Sequence, residues 1–250
     1  MRIITITVAF LAVMVCTVAV ANAQPVVRVG VFPMGGPMTL LDEGSGNASG
    51  ATVEILQAIA KDRGLKLQYV KITGSGSNPF VAALASDTID LIAYCFQMTA
   101  DRKAQFDFSE PVLSYGEAVI VHKDDPKDYR SAKDLKGLSL GVVVGSSYVD
   151  TAKGVGANAI IGDSLGGLLM DVNTGKIVAA MGSAPTVLNA VQRGTYPNVR
   201  VPSNYRSDEA LPAGFGVRKG NVGLLKTIDA GLAKLTADGS AKAILAKYGL

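Results

Sequence analysis

The sequence predicts an α/β protein of two lobes, each built on a mostly parallel sheet flanked by helices. Strand and helix patterns alternate in two series along the chain, as they do where crossover helices join parallel strands. Between the two series, residues 115–122 are predicted to form a strand that no helix precedes. The length of 250 residues accommodates two units of roughly 100 residues. Because pockets favour domain interfaces, we expect a ligand cleft between the lobes.

The first series has the order strand, helix, strand, helix, strand. Its first helix carries Val53, Leu56 and Ile59 along one face. Asn78-Pro79 is typical of a helix start, with a capping residue followed by a first-turn proline. The predicted elements are strands 26–31, 65–71 and 89–94, and helices 51–63 and 78–84. Two stretches rich in glycine and serine, 44–50 and 73–77, are predicted to be mobile loops.

The second series follows the strand at residues 115–122 and continues to the C-terminus. Apolar runs predict its strands, and serine or asparagine residues that cap helices predict its helix starts. The predicted strands are 138–144, 176–181, 199–201 and 214–218. The predicted helices begin at Ser146 and at Asp163 or Ser164, and continue with 185–192, 221–237 and a short C-terminal helix.

The first 23 residues match a secretory signal peptide. Arg2 precedes a nearly uncharged run over residues 3–20, and Ala21-Asn22-Ala23 is a small-x-small cleavage site. We predict cleavage after Ala23 and export to the periplasm. The alternative is an uncleaved membrane anchor, because the apolar run is long, although a cleavage site has no purpose in an anchor.

The rest of the composition argues against several functional classes. Arg2 is the charged residue of the signal segment, so the mature chain has a net charge of about +2, which gives no case for nucleic-acid binding. Cys16 leaves with the signal, so Cys95 has no internal disulfide partner. His122 is the single histidine, and without a Cys/His cluster we predict neither a metal site nor a cofactor.

One stretch carries the clearest indication of a binding site. An apolar run from residue 89 ends in polar residues, after which Thr99 and Arg102 open a predicted helix. A strand end, a helix start and a fixed cation together favour a small anion, and a carboxylate is the expected one. The alternative is that Arg102 pairs with Asp101 or Asp107 at the surface.

Residues 90–111 resemble a motif of the extracytoplasmic solute-binding proteins (family 3) of polar amino acid ABC transporters. The motif reads D-[VL]-I, then T-x-[ED]-R-[KR], then F-[ST]-x-P. Further matches follow in the family's order along nearly all of the mature chain. They are Val29-Gly30 with Pro37, an imperfect match at Gly50–Glu54, Asp134–Gly137 with Leu140–Val142 and Gly145–Ser147, and Val217–Gly220 with Ala237–Gly239.

The resemblance implies the type II periplasmic-binding-protein fold, in which crossing strands hinge two lobes that close on a ligand. Lobe 1 is expected to comprise residues 24–114 and 208–250, and lobe 2 residues 115–207. In the family's amino-acid binders, the position of Arg102 grips the ligand carboxylate. The resemblance also implies that Ser147, and Ser146 less directly, donate to that carboxylate. For Ser147 the alternative is an ordinary helix cap.

Several residues depart from the family pattern. Ser183 stands where amino-acid binders carry an aspartate for the ligand ammonium. Gln97 replaces a small polar residue, Met38 a stacking aromatic residue, and Phe32 an acidic residue. These exchanges predict a cleft that is more apolar than is usual in the family.

The missing aspartate leaves the ligand class open. A buried ammonium without an acidic partner costs roughly 3–5 kcal/mol. Either Glu117 supplies the acid, or the ligand is an organic acid without an ammonium group. Tyr94 and Cys95 are further expected contacts, but alternate strand residues point to opposite faces, and the alternative for Cys95 is a small buried hydrophobic residue.

The predicted function is therefore that of an exported, monomeric binding protein of an ABC importer. It captures a small carboxylate-bearing solute, an amino acid or a related organic acid, and delivers it to the membrane permease. One alternative is a ligand-sensing module for a membrane partner. Another is an enzyme resembling cyclohexadienyl dehydratases, which need a general acid in the cleft. The uncharged Ser183, and the absence of a base beside Cys95, favour a protein that is not an enzyme.

Overall fold

Two separate main β-sheets organise the chain in the computed structural model, which describes residues 24–250. The predicted signal peptide lies outside these residues. The strands are β1 (Val26–Val31), β2 (Met34–Gly35), β3 (Thr39–Leu41), β4 (Ala48–Ser49), β5 (Lys66–Lys71), β6 (Leu91–Gln97), β7 (Asp107–Phe108), β8 (Leu113–Tyr115), β9 (Glu117–His122), β10 (Ser139–Val143), β11 (Asn158–Gly162), β12 (Ala179–Ser183), β13 (Val199–Arg200) and β14 (Leu211–Val217). The helices are α1 (Ala51–Arg63), α2 (Asn78–Ala85), α3 (Ala100–Gln105), α4 (Tyr148–Gly154), α5 (Leu165–Asn173), α6 (Ala184–Gln192), α7 (Val222–Ala237) and α8 (Ser240–Lys247), with a 3-10 turn at Ala132–Leu135.

The first sheet belongs to lobe 1 and has the strand order β5-β1-β6-β14-β7, with β8 also paired to β14. β1 runs parallel to β5 and β6, whereas β14 is antiparallel to β6. The apolar face predicted for α1 is buried against α7, where Leu56 and Ile59 share one core with Ile228 and Leu232. Burying each such side chain contributes about 1.5–3 kcal/mol, so this contact ties the C-terminal helices to the N-terminal half of the chain.

The second sheet belongs to lobe 2 and has the order β11-β10-β12-β9-β13. β10 is parallel to β11 and β12, and β9 is antiparallel to β12 and β13. Separate apolar cores cover its two faces, one around Leu140 and Val142 and the other around Leu168 and Ile177. The predicted two-lobed α/β class is confirmed. One part of each sheet consists of parallel strands. The antiparallel strands of each sheet lie next to the segments that cross between the lobes.

Several predicted elements differ from the structure. No strand was predicted at β11, an edge strand where Ile160 and Ile161 are about half exposed, so its sequence lacks the pattern of a buried strand. β12 begins at Ala179, three residues later than predicted. α4 begins at Tyr148 rather than at Ser146. The stretch 44–50 includes β4, which pairs with β3 in a small additional sheet.

The chain crosses between the lobes at two places. β8 pairs in the first sheet and β9 in the second, so the first crossing occurs at Gly116. The second crossing lies between β13 and β14, in residues 201–210. Tyr115, the predicted first residue of lobe 2, still pairs with Leu211 in the first sheet. The predicted boundaries at 114/115 and 207/208 stay a prediction.

Gly116→Ala is expected to destabilise the protein by roughly 1–3 kcal/mol, because the crossing segments lie too close to admit a side chain. An added Cβ would overlap the side chain of Ser207 and lie 2.9 Å from the carbonyl oxygen of Glu209. The measurement is urea unfolding. Gly223→Ala in α7 is the matched control, because no atom lies within 4 Å of an added Cβ there. Helix propensity predicts that this control is stabilised by up to about 1 kcal/mol. Equal stability of the two variants would contradict the close approach at Gly116.

The first aspartate of the motif has a structural role. Asp90 accepts hydrogen bonds from Arg28 Nε at 2.9 Å and Arg28 Nη2 at 2.6 Å, and also from the Arg28 backbone N–H at 2.8 Å. These bonds join the start of β1 to the residue before β6. They lower the pKa of the Asp90 carboxyl below its ordinary value of 3.8.

Asp90→Asn is expected to lower the free energy of unfolding by about 1–2 kcal/mol at pH 7, because it removes charge-assisted hydrogen bonds. The folded protein holds this carboxyl at a lowered pKa, so its contribution is present above pH 3.8 and is lost as the pH falls through the folded value. Urea unfolding at pH values from 7 downward through the acid range tests this. The exposed Asp124→Asn serves as control. A deficit that stays the same size at every pH at which the protein folds would mean that the carboxylate charge is not responsible.

Candidate functional site

A cavity of about 770 Å³ lies between the two lobes. The carboxyl ends of β1, β6, β10 and β12 lead into it, which is where ligand sites form in α/β sheets. Lobe 1 contributes Phe32, Tyr94, Phe96, Gln97 and Arg102 among its lining residues. Lobe 2 contributes Ser146, Ser147, Tyr148, Ser183 and Thr186. The structure therefore brings most of the predicted site residues together at one cleft.

Arg102 is the buried cation of this cleft. Thr99 caps α3, and its Oγ1 accepts a hydrogen bond from the Arg102 backbone N–H at 3.4 Å. Arg102 is 7% exposed, and its guanidinium donates from Nη1 to the Gln97 carbonyl oxygen at 3.1 Å and from Nε to Ser77 Oγ at 3.4 Å. Its carbon lies 4.8 Å from the centre of the Phe96 ring. These contacts hold the guanidinium in one orientation at the cavity wall.

No carboxylate forms an ion pair with Arg102 within residues 24–250. The alternative of a surface pair with Asp101 or Asp107 is therefore wrong, and Asp107 lies beside Lys219 instead. Burial lowers the pKa of Arg102, since desolvation disfavours the charged form. A guanidinium nevertheless stays protonated in proteins. The cleft thus holds a desolvated positive charge to which residues 24–250 supply no counter-charge.

A polar contact joins the two lobes beside this cation. Ser147 Oγ donates to Gln97 Oε1 at 3.2 Å, and Gln97 Nε2 donates to the Tyr115 carbonyl oxygen at 2.8 Å. Ser147 is the N-cap residue of α4, but its side chain makes no capping hydrogen bond and is directed to Gln97 instead. Ser146 Oγ donates to the Val143 carbonyl oxygen at 2.7 Å. Gln97 and Ser147 are therefore positioned at the cavity wall near Arg102.

Aromatic rings form the apolar wall of the cleft on lobe 1. Phe32 meets Phe80 edge-on with ring centres 4.6 Å apart, and it meets Tyr94 at 5.5 Å. Tyr94 and Phe96 are two residues apart on β6, so their rings lie on the same face of the sheet, 4.9 Å apart. Edge contacts of this kind stabilise the rings in fixed positions.

Hydroxyl groups from lobe 2 face these rings. Tyr94 Oη lies 3.4 Å from Thr186 Oγ1, and Ser183 Oγ donates to the same Thr186 oxygen at 2.9 Å. Ser183 is buried and uncharged at the end of β12. Tyr148 is 9% exposed and lines the cavity, and its hydroxyl has no hydrogen-bond partner in the part of the chain that is described. Burial raises the pKa of Tyr148, which keeps the hydroxyl protonated as a donor.

Three predicted contact residues lie outside the cleft. Cys95 is fully buried in the lobe 1 core, because it points to the face of β6 opposite Tyr94 and Phe96. Met38 is fully buried in the same core. Glu117 accepts hydrogen bonds from Tyr205 Oη at 3.0 Å and Ser207 Oγ at 2.5 Å, and it is not among the lining residues. Glu117 therefore joins the crossing segments and does not supply an acid to the cavity.

Tyr148 and Thr186 are polar lining residues that were not among the predicted contacts. Tyr148 directly follows the motif serines, and Thr186 lies three residues after Ser183, in the first turn of α6. The sequence offered one indication that both residues line the cavity, namely that each lies close to a predicted contact residue. The sequence does not identify which side chains form hydrogen bonds across the cleft, because that pairing depends on how the two lobes pack against each other.

The loop predicted to be mobile at residues 73–77 connects the lobes at the rim of the cavity. Ser75 Oγ donates to the carbonyl oxygen of Asp163 in lobe 2. An added Cβ at Gly76 would lie 2.5 Å from the carbonyl oxygen of Gly145. The lobes are thus in contact beside the cleft, and glycine at residue 76 permits that contact.

Other kinds of site are not evident among residues 24–250. This part of the chain contains no group of three or more His, Cys, Asp or Glu side chains that could hold a metal ion. The helices described there are all too short or too polar to cross a membrane.

Comparison with known proteins identifies related binding proteins. The family model for bacterial extracellular solute-binding proteins, family 3, matches residues 27–250. The L-cystine-binding protein TcyJ of Escherichia coli (strain K12) is 28% identical over 207 residues, which are 81% of this chain and 75% of the relative. A probable amino-acid ABC transporter-binding protein of Haemophilus influenzae is 26% identical over 208 residues, covering 83% of this chain and 78% of the relative. Among solved structures, an ancestral arginine-binding protein bound to glutamine superposes with a TM-score of 0.79 at 28% identity, covering 91% of this chain and 99% of that one. These likenesses confirm the periplasmic-binding-protein fold.

Proposed function

The chain belongs to family 3 of the bacterial extracellular solute-binding proteins, and on this basis we propose that it captures a small carboxylate-bearing solute for an ABC importer. The two lobes close on the solute, and the closed form delivers it to the permease in the membrane. The protein acts as a monomer in the periplasm, after cleavage of its signal peptide behind Ala23. The two named relatives are described as binding proteins of amino acids or cystine, which supports a small solute with a carboxylate.

The observation that carries this proposal is the buried guanidinium of Arg102, which forms no ion pair with any of the described residues. Removing a charge from water without a partner is costly, so a cation kept in a cleft favours an anionic ligand. A planar guanidinium binds a carboxylate through two parallel hydrogen bonds, each stronger than a neutral one. The Gln97 amide and the Ser147 hydroxyl lie beside it and offer further polar contacts.

The charges in the cavity favour binding over catalysis. Glu43 is the carboxylate among the described lining residues, and it lies at the rim with its side chain 60% exposed. Glu43 is paired there with Lys71 Nζ at 2.6 Å. The described residues that line the interior of the cleft therefore include no acid. A general acid or base must be within hydrogen-bond reach of the reacting group. A solute can therefore be held in the cleft without being transformed.

Calorimetric titration of the mature protein with a panel of carboxylates and their methyl esters tests the proposal. We expect a carboxylate to bind at micromolar concentration and its ester to bind at least about 30-fold more weakly, because the ester is uncharged. Equal affinity for acid and ester would contradict the carboxylate site. For the transport role, deleting the gene should abolish uptake of the same solute by cells. Unchanged uptake would contradict that role.

A further inference from the structure

Within the described part of the chain, no acid in the interior of the cleft is available to a ligand ammonium. Among the lining residues described, Glu43 is the one acid, and Lys71 neutralises it at the rim. Glu117 is outside the lining and is engaged by Tyr205 and Ser207. Ser183, at the end of β12, presents a hydroxyl that is already bonded to Thr186. The positions from which an acid could reach a ligand are therefore neutral or occupied.

The charge balance of the cleft separates two ligand classes. Arg102 brings one positive charge into a desolvated site. Arg193 also lines the cavity, but it is exposed to solvent, so the balance concerns the buried interior. There, a carboxylate without an ammonium group offsets the charge of Arg102. A zwitterionic amino acid leaves one uncompensated positive charge there, which is unfavourable in a low-dielectric environment. The face of Phe96 already lies beside the Arg102 guanidinium, so it is not free to hold a second cation.

The remaining contacts suit an oxygen substituent and an apolar body. Tyr148 is 9% exposed and lines the cavity, and its hydroxyl has no hydrogen-bond partner among residues 24–250, so it can donate to a ligand oxygen. Phe32 and Phe96 line the cavity from lobe 1, and Leu165 and Leu169 line it from lobe 2. A volume of about 770 Å³ accommodates a ligand much larger than its carboxylate group.

On the basis of the proposed function, we infer that the ligand is a 2-oxo or 2-hydroxy carboxylic acid with a bulky apolar side chain and no ammonium group. Arg102 binds its carboxylate, and Tyr148 donates to the neighbouring oxygen. The aromatic and aliphatic walls enclose its side chain.

Matched sets of ligands test this by calorimetry on the mature protein. The first set is phenylpyruvate, 3-phenyllactate and L-phenylalanine, and the second is 4-methyl-2-oxopentanoate, 2-hydroxy-4-methylpentanoate and L-leucine. We expect the oxo or hydroxy acid of at least one set to bind 10-fold or more tightly than its amino acid. An amino acid that binds equally or more tightly would overturn the ligand class while leaving the carboxylate site intact. If no carboxylate of either set binds, the ligand class is overturned, whereas the proposed function is overturned only if the broader panel of carboxylates and methyl esters also fails.

Two variants test the named contacts. Tyr148→Phe should weaken the oxo or hydroxy acid about 5- to 10-fold and change the affinity for 3-phenylpropanoate, which lacks the oxygen, less than 2-fold. Equal loss for both acids would overturn the role of Tyr148. Ser183→Asp places a carboxylate at the cavity wall and should raise the affinity for the amino acid relative to its oxo acid by at least 10-fold. An unchanged ratio in a variant that melts cooperatively would overturn the charge argument, and Tyr148→Phe remains decisive if Ser183→Asp does not fold.

Discussion

Replacing Arg102 with alanine should weaken binding of a carboxylate ligand by about 30-fold or more, equivalent to about 2 kcal/mol. The guanidinium is buried in the cleft and has no ion-pair partner among the residues described, so the ligand supplies its counter-charge. Arg102→Lys should give an intermediate loss, because an ammonium keeps the charge but not the planar pair of donors. The measurement is calorimetric titration with the tightest carboxylate identified.

Arg130→Ala is the matched control for this experiment. Arg130 is an exposed arginine of lobe 2 outside the cavity lining, and its removal should leave affinity unchanged. The ligand-free stability of Arg102→Ala gives a second readout. Arg102→Ala should lower the free energy of unfolding by no more than about 1–2 kcal/mol, which is the contribution of the hydrogen bonds to Gln97 and Ser77. A larger loss is not expected, because Arg102 is a desolvated cation. If Arg102→Ala keeps its affinity within threefold of wild type, the carboxylate site is misplaced.

Gly76→Ala should weaken ligand binding by about 10-fold, because its side chain opposes the contact between the lobes. The added Cβ would lie 2.5 Å from the carbonyl oxygen and 2.7 Å from the carbonyl carbon of Gly145. Because these are backbone atoms, they cannot move aside as a flexible side chain can. The two lobes must therefore separate slightly at the rim of the cavity. Calorimetry measures the loss of affinity, and small-angle X-ray scattering of the ligand-bound protein measures the extent of closure.

Backbone strain must be separated from this steric effect. Gly76 has φ of 69°, a left-handed conformation that costs an alanine about 1 kcal/mol whether the lobes are open or closed. Gly64, at the end of α1, has φ of 65°, and no atom lies within 4 Å of a Cβ added there. Gly64→Ala should therefore lose similar stability and keep full affinity. Equal affinities of the two variants would show that the contact with Gly145 does not control binding.

Much of lobe 1 was predictable from local patterns. β1 and α1 have the predicted bounds, since apolar periodicity and the stop at Gly64 are strong local signals. β11 was missed because an exposed edge strand carries no burial pattern. The loop at residues 73–77 was predicted from composition to be mobile, but its contacts with Asp163 and Gly145 come from the other lobe. The composition of a segment indicates how flexible it is in isolation, but not which residues of the other lobe it contacts.

Residue type and position along a strand correctly predicted some of the residues that line the cavity, but not others. Arg102, Gln97 and Ser147 line the cavity as predicted, although their contact with a ligand stays a prediction. Cys95 faces the core, and Glu117 is held at the crossing segments. Strand alternation restricts a side chain to one of two faces, but which face becomes the cleft depends on how the sheet packs.

By itself, the sequence determined the α/β class, the division into two lobes, the family and the cation at Arg102, because these depend on local periodicity and on motif residues in order along the chain. Only the tertiary structure decided which side chains face the cavity and which acids are engaged elsewhere. The distance between residues such as Glu117 and Ser207, or Gly76 and Gly145, is set by packing between segments far apart in the sequence. The neutral interior around a buried guanidinium is therefore a property of the folded chain.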